Sequence, residues 1–464
     1  MAAGGFPLEP RDVEQVQTKY RRIATKMPVP ESLPIIEQLR KYEPWSMSGQ
    51  PPVVWDRAEG FQVHDAWGNT WLDWSSGVLV TNAGHAHPEV RKATAAQIDK
   101  PLMHNYCFPT QIRAELVKEL VESTPATLEK AFLLTTGSET TECAIKLMRT
   151  HGQSVGGKRK IGIVGFVNGF HGRTMGAQMA GGVQAAKEWM VNLDPSMVQV
   201  PYPDGFRQQD TSFDVFLDSL KKQGFEPADI AGVIVETYQG GNAQLAPNQY
   251  MQKLRAWCDE HDILLTFDEV QAGFGRTGKM FCYEHYGVDA DLVCCGKGIS
   301  SGMPLGAVLG RAKLLDQYPP GSMTSTHTGN PVCCAAALAS LHAIKNEKMI
   351  NNAAKLGQIL DTELKRIGQR FGPAMGQPVA TGLVGSIQVV KPGTTDPDGD
   401  LATDIVRRCV DAGLLMFAPV GVGGATVKIA PPLCTPEDAL REGIEVLETA
   451  IEQATSAAPQ ATAS

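Results

Sequence analysis

Excess positive charge is missing from this 464-residue chain: 42 Lys and Arg stand against 50 Asp and Glu, a formal net charge of −8. That balance, without any basic block or basic–aromatic interleaving, excludes the electrostatic footprint of a nucleic-acid binder. Long apolar runs are missing too. The longest uncharged stretch near the C-terminus, AGLLMFAPVGVGGATV, is interrupted by Pro419 and several glycines and is too short to span a bilayer. The first residues, MAAGGFPLEPRDVEQ, lack a basic segment followed by an apolar core, so no secretory signal is expected and the cytoplasm is the default location. Cys-x-x-Cys is absent. The ten cysteines, two adjacent pairs among them (Cys294-Cys295 and Cys333-Cys334), read as small buried hydrophobes in a reducing compartment, not as a disulfide framework or zinc site.

What remains is an ordinary globular composition, 43% hydrophobic and 20% charged. The length exceeds one small core and fits a large α/β domain with a smaller companion. Residues 1 to about 50 read as a mostly helical polar arm with several prolines, and 454–464 as a small-residue tail that frays. Phe61–Asp65 and Thr70–Trp74 form a predicted hairpin with Gly68-Asn69 in its turn. From about Lys130, apolar β-rich runs (AFLLTT, IGIVGF, AGVIVE, ILLTFDEV, DLVCCG) alternate with helical or loop segments. This is the pattern of a mostly parallel sheet covered on both faces, with ligands at the carboxyl ends of its strands. A last helix is predicted to start at Thr435-Pro-Glu-Asp438 and to bury Leu440, Ile444, Leu447 and Ile451.

Three polar features fall at predicted strand ends. Gly137-Ser138 opens the helix after AFLLTT, where backbone amides and a hydroxyl suit a phosphate; the plainer reading makes Ser138 the helix cap. Asp268 ends ILLTF, where its charge needs a facing cation such as a protonated ring nitrogen, or, more plainly, Arg276. Lys297 stands between two glycines after DLVCC. A partly desolvated amine there would be a nucleophile toward an aldehyde, and a solvated turn lysine is the alternative. Taken together, a phosphate cradle, a carboxylate for a pyridinium and an amine for an aldehyde are the handles for pyridoxal 5′-phosphate.

Rival motifs are weaker. Gly273–Gly278 matches G-x-G-x-x-G but is separated from its strand and is followed by too short a helix for dinucleotide binding. Gly296-Lys297 is no Walker loop, because Asp291 replaces the first glycine and Gly298 the Ser or Thr. His85-Ala-His87 lacks a second ligand pair for a metal, which leaves a loop-ordering role.

With these residues in view, the sequence resembles the class III aminotransferases, fold type I pyridoxal-phosphate enzymes that include 4-aminobutyrate and ornithine aminotransferases. The resemblance runs from about Gly60 to Glu452 through GVLVTNAGHAHP (77–88), TGSE (136–139), GFHGRT (169–174), DEVQAGFGRTG (268–278) and THTGNP (326–331). It implies an arm and part of a small domain over 1–80, a large cofactor-binding domain over 81–330, and a connecting helix with the rest of an α+β small domain over 331–464. Lys297 is then the residue that bonds the cofactor aldehyde and shuttles the proton, and Asp268 the partner of the pyridine nitrogen. The resemblance also places Phe170 and Val270 on the two ring faces, Gln271 near the ring hydroxyl, and Gly137 and Ser138 at the phosphate. Thr326 would complete that phosphate site from a neighbouring subunit, so a homodimer, or a dimer of dimers, is implied.

For the substrate, the resemblance points to Val78 and to Arg173, which would grip the far carboxylate of an ω-amino acid. Glu236 would pair with a C-terminal basic residue. Here that residue is Lys428 instead of the usual arginine, so pyruvate stands beside 2-oxoglutarate as the implied acceptor. Relatives that epimerise, decarboxylate or move an amino group within one substrate share these handles. A remoter alternative, a non-catalytic cofactor-binding regulator, would need a DNA-binding module that the N-terminal arm does not resemble.

Overall fold

The structure is a computed structural model and describes residues 5–457. The chain divides into two compact units, one of residues 80–82 and 88–351, the other of residues 5–79, 83–87 and 352–457.

The larger unit is built on seven strands: β1 (Lys130–Leu134), β2 (Gly162–Phe166), β3 (Met197–Val200), β4 (Ile230–Glu236), β5 (Leu264–Asp268), β6 (Leu292–Cys295) and β7 (Gly306–Gly310). They lie in the order β1-β7-β6-β5-β4-β2-β3. All neighbours run parallel except β7, which is antiparallel to β1 and β6. Every residue of β4 and β5 is buried, which explains why the sequence shows continuous apolar runs there and no alternation. Register matters for function: Asp268 lies opposite Glu236 on one side and Cys294 on the other, so three strand ends stand abreast.

Helix α1 (Gly137–Gly156) packs on this sheet. Its start is fixed by a capping box. Thr136 accepts from the Glu139 N–H at 3.2 Å, and the Glu139 carboxylate reaches back to the Thr136 N–H at 2.9 Å. Leu147 and Met148 on its inner face are fully buried among Ile163, Ala231 and Leu292, and truncating either to alanine would cost about 2–5 kcal/mol.

In the smaller unit, Gln62–His64 pairs with Thr70–Asp73 in the expected hairpin, and the Asp65 carboxylate accepts from the Trp67 and Asn69 amides across the turn. A three-stranded antiparallel sheet (Met375–Thr381, Val384–Val389, Thr426–Ile429) and helices Gly399–Asp411 and Glu437–Ala457 complete it. Leu440, Ile444, Leu447 and Ile451 are buried as expected. The N-terminal arm is not mostly helical. Among the described residues of the arm only Leu33–Tyr42 forms an α-helix, while Val16–Gln17 and Arg22–Ile23 extend the hairpin sheet through pairing of Arg22 with Thr70. The expected fraying is not seen up to Ala457, where the last helix ends; residues 458–464 lie outside the described residues.

One turn of this unit runs left-handed. Ser76, Gly77, Val78 and Leu79 have φ of +48°, +58°, +64° and +61°. For L-residues this costs roughly 1–2 kcal/mol each, so tertiary bonds must hold it: the Ser76 hydroxyl donates to the Ala430 carbonyl at 2.6 Å, and the Ser75 hydroxyl and amide both donate to Asp73. His85 binds the other Asp73 oxygen at 2.6 Å, in keeping with a loop-ordering role.

Candidate active site

The carboxyl ends of β4, β5 and β6 and the start of α1 gather most of the residues singled out in the sequence. Asp268 ends β5 and is buried. Its Oδ2 meets His171 Nδ1 at 2.8 Å and its Oδ1 accepts from the Val270 N–H at 3.0 Å. The plainer pairing with Arg276 does not occur, since the buried Arg276 donates instead to Asn82 Oδ1 at 2.8 Å. Burial opposes a charge on His171, yet the hydrogen bond and charge of Asp268 lift its pKa above the usual imidazole value. His171 Nε2 is buried without a hydrogen-bond partner.

Lys297 follows β6 through Gly296, with φ of +41°. Only a residue with a reason to be there occupies that region, and burial supplies the chemical one. It pushes the amine below the ordinary lysine range, although the charges of Asp268 and Glu236 partly oppose it. The side chain is half-buried, not fully solvated. Glu236, at the end of β4, accepts from the Phe170 N–H at 3.0 Å and the Gly240 N–H at 2.9 Å. Burial pushes its carboxyl up; His171 opposes this shift and Asp268 adds to it.

Ser138 is not the cap of α1, because Thr136 holds that position. Its hydroxyl instead accepts from the Arg173 N–H at 3.3 Å. Gly137 has to be glycine for steric reasons, since a Cβ there would fall 2.6 Å from Val270 Cγ1. Val270 thus packs directly against the helix start. Phe170 keeps its ring 45% exposed, and the Arg173 guanidinium lies 5.6 Å from its centroid. Gln271 is half-buried.

Thr326 is not brought into this group. It lies exposed in the segment before Asn330, with no hydrogen bond among the described residues. Val78 and Lys428 belong to the smaller unit: Val78 is 42% exposed on the left-handed turn, and Lys428 is buried in Thr426–Ile429 opposite Ser386. Sequence reasoning missed His171, although it lies inside GFHGRT, because its partner is 97 positions away. The 273–278 run forms turns and opens no helix, which removes the dinucleotide reading. Among the described residues no His, Cys, Asp or Glu cluster could hold a metal. Nor is any described helix long and apolar enough to cross a membrane.

A phosphorylated pyridine aldehyde fits these residues on three counts. Asp268 offers a carboxylate to a ring cation, Lys297 an amine of lowered pKa, and the start of α1 at Gly137-Ser138 a set of backbone amides and a hydroxyl. On a sheet of this topology that combination defines the fold type I pyridoxal-phosphate enzymes.

Comparison with known proteins narrows the class. A family model described as Aminotransferase class-III matches residues 46–451. The chain is 34% identical over 415 residues to the 4-aminobutyrate aminotransferase GabT of Escherichia coli (strain K12), covering 87% of this chain and 94% of that protein. It is 30% identical over 463 residues to the alanine/serine racemase of Pyrococcus horikoshii, covering 96% of each. Among solved structures, an aminotransferase of Bacillus anthracis superposes with a TM-score of 0.84 at 27% identity, over 92% of this chain and 100% of that one. The chain belongs to the class III aminotransferases. It is a pyridoxal-phosphate enzyme that works on a small-molecule amino donor and a keto-acid acceptor.

Proposed function

We propose that this enzyme moves the amino group of an ω-amino acid of the 4-aminobutyrate type to an α-keto acid, 2-oxoglutarate or pyruvate, in two half-reactions on one site. The observation that carries the reading is the placement of Arg173: an exposed guanidinium beside the Phe170 ring, on a segment tied to the start of α1 through Ser138. A planar fork suits a carboxylate.

When bound, pyridoxal 5′-phosphate supplies an aldehyde for amines and a ring that accepts the electron pair released at the substrate Cα. Lys297 Nζ, whose lowered pKa favours the free amine, would bond that aldehyde; displaced by the donor, it would carry the proton from the donor carbon to the cofactor carbon. Asp268, oriented by His171, would hold the proton on the pyridine nitrogen. Gly137 and Ser138 would bind the phosphate, Phe170 and Val270 would flank the ring, and Gln271 would meet its hydroxyl. Val78 would line the donor's path, and Glu236 with Lys428 would govern entry of the second carboxylate. Thr326 would reach the phosphate of a neighbouring subunit, making the working form a homodimer or a dimer of dimers, placed in the cytoplasm.

Arg173→Ala tests the donor assignment. Selectivity for amines with a distal carboxylate over those without is expected to fall by at least tenfold, on the scale of one lost charge-assisted contact, about 1.5–3 kcal/mol. An unchanged preference removes Arg173 from the site. The second reading, epimerisation within this family, is favoured by the racemase relative. It is separated by assaying product with and without an α-keto acid, which only net transfer requires.

A further inference from the structure

The segment that carries Arg173 lies outside regular secondary structure until Met175. Thr174, at the start of the short helix Met175–Ala180, makes no side-chain capping bond. The cap comes from a different helix. Glu142 of α1, half-buried, accepts from the Thr174 hydroxyl at 2.6 Å and from the Gly176 and Ala177 amides at 2.8 and 3.1 Å, all on Oε1. Three neighbouring side chains of α1 bind the same segment: Ser138 takes the Arg173 N–H, the Thr141 hydroxyl donates to the His171 carbonyl at 2.9 Å, and Glu142 takes the residues that follow. Positions 138, 141 and 142 are one helical face, since residues three and four apart lie above one another. A glycine at 172 is required for this seam to close, because a Cβ there would fall 2.3 Å from Ser138 Oγ.

We infer that Glu142 is a positioning residue for donor specificity: it sets the reach of Arg173 toward the distal carboxylate of the substrate. The inference rests on the donor assignment above. A carboxylate accepting three bonds from one short stretch fixes Thr174, Gly176 and Ala177, just after Arg173, so its loss frees the backbone bearing the guanidinium while leaving Asp268 and Lys297 untouched. Discrimination between donors then suffers and the chemistry of the amine does not.

The test compares Glu142→Ala, Glu142→Gln and Arg173→Ala as holoenzymes, using 4-aminobutyrate, n-butylamine as the donor without a carboxylate, and calorimetric binding of n-butyrate, which cannot react. Glu142→Ala is expected to raise KM for 4-aminobutyrate and weaken n-butyrate binding about tenfold, with the n-butylamine half-reaction unchanged. Glu142→Gln keeps an acceptor oxygen without its charge and is expected to give about a threefold selective loss, in line with the weaker neutral hydrogen bond. Equal losses on both amines, or none, overturn the inference. If Glu142→Ala does not fold, the glutamine variant decides alone: selective weakening sustains the inference and its absence overturns it. Should Arg173→Ala be selective and neither Glu142 variant be so, only this inference falls. An unselective Arg173→Ala overturns the donor assignment and this inference with it.

Discussion

Lys428 offers one compact charge with three rotatable donors, where a guanidinium would offer a planar two-toothed fork. Within Thr426–Ile429 it is almost fully buried. If Lys428 meets a carboxylate as proposed, it would hold it as a point charge, tolerant of angle and poor at telling one dicarboxylate from another. Lys428→Arg is therefore expected to lower KM for 2-oxoglutarate severalfold while leaving KM for the amino donor within about twofold, on the difference between monodentate and bidentate pairing. Steady-state kinetics of the two half-reactions check it; equal effects on both would place Lys428 outside acceptor choice. At this scale much was legible in advance. The amine, the carboxylate and the helix start were each visible as a polar residue after an apolar run, the one place in a buried parallel strand where such a residue is tolerated. His171 was not, because a buried imidazole looks the same in sequence whatever it faces.

The loop from Glu269 to Tyr283 shows how one side chain can organise an element. The Glu269 carboxylate, wholly buried, accepts from the Cys282 N–H at 3.0 Å and the Tyr283 N–H at 2.8 Å, tying the far end of the loop to the end of β5. Burial pushes its pKa from 4.5 up to about 7, against the pull of those amides. The folded state thus holds a proton that the unfolded chain has released over that window, so this group's share of stability is full below about pH 4.5 and is lost as pH rises through about 7. Glu269→Gln is expected to flatten the fall in Tm between about pH 5 and about pH 8, while lowering Tm overall because an amide N–H₂ meets a backbone donor. Thermal unfolding across that range checks it.

Elements with a strong local signal were readable beforehand: the hairpin, the five continuous apolar runs and the periodic closing helix. The two-residue strands of the arm carry no period, and their partner Thr70 is remote, so the arm's polar, proline-dotted sequence reads as helix. The plainer alternative for Ser138, a helix cap, gives way to Thr136, because Thr136-Gly-Ser-Glu139 spells the capping box that the structure forms.

For the molecule as a whole, the proposed sharing of Thr326 between subunits has a direct consequence. Mixing inactive Lys297→Ala with Thr326→Ala chains and allowing them to re-associate would give hybrid dimers with one site complete, because the intact lysine of one chain meets the intact threonine of the other. About a quarter of wild-type activity is expected to return, from half of the dimers with one working site each in a two-fold assembly. No recovery above the separate variants would show that Thr326 serves no neighbouring site.

The left-handed turn at Ser76–Leu79 also bears on how the chain comes to exist. Its bond from Ser76 reaches Ala430, 354 positions later, so a ribosome has made that whole intervening length before the turn can be secured. Until then Val78 is free to relax into ordinary backbone geometry. Val78 is thereby among the last residues to reach its folded shape, and the smaller unit, drawn from segments far apart in the chain, matures only after Thr426–Ile429 has left the exit tunnel.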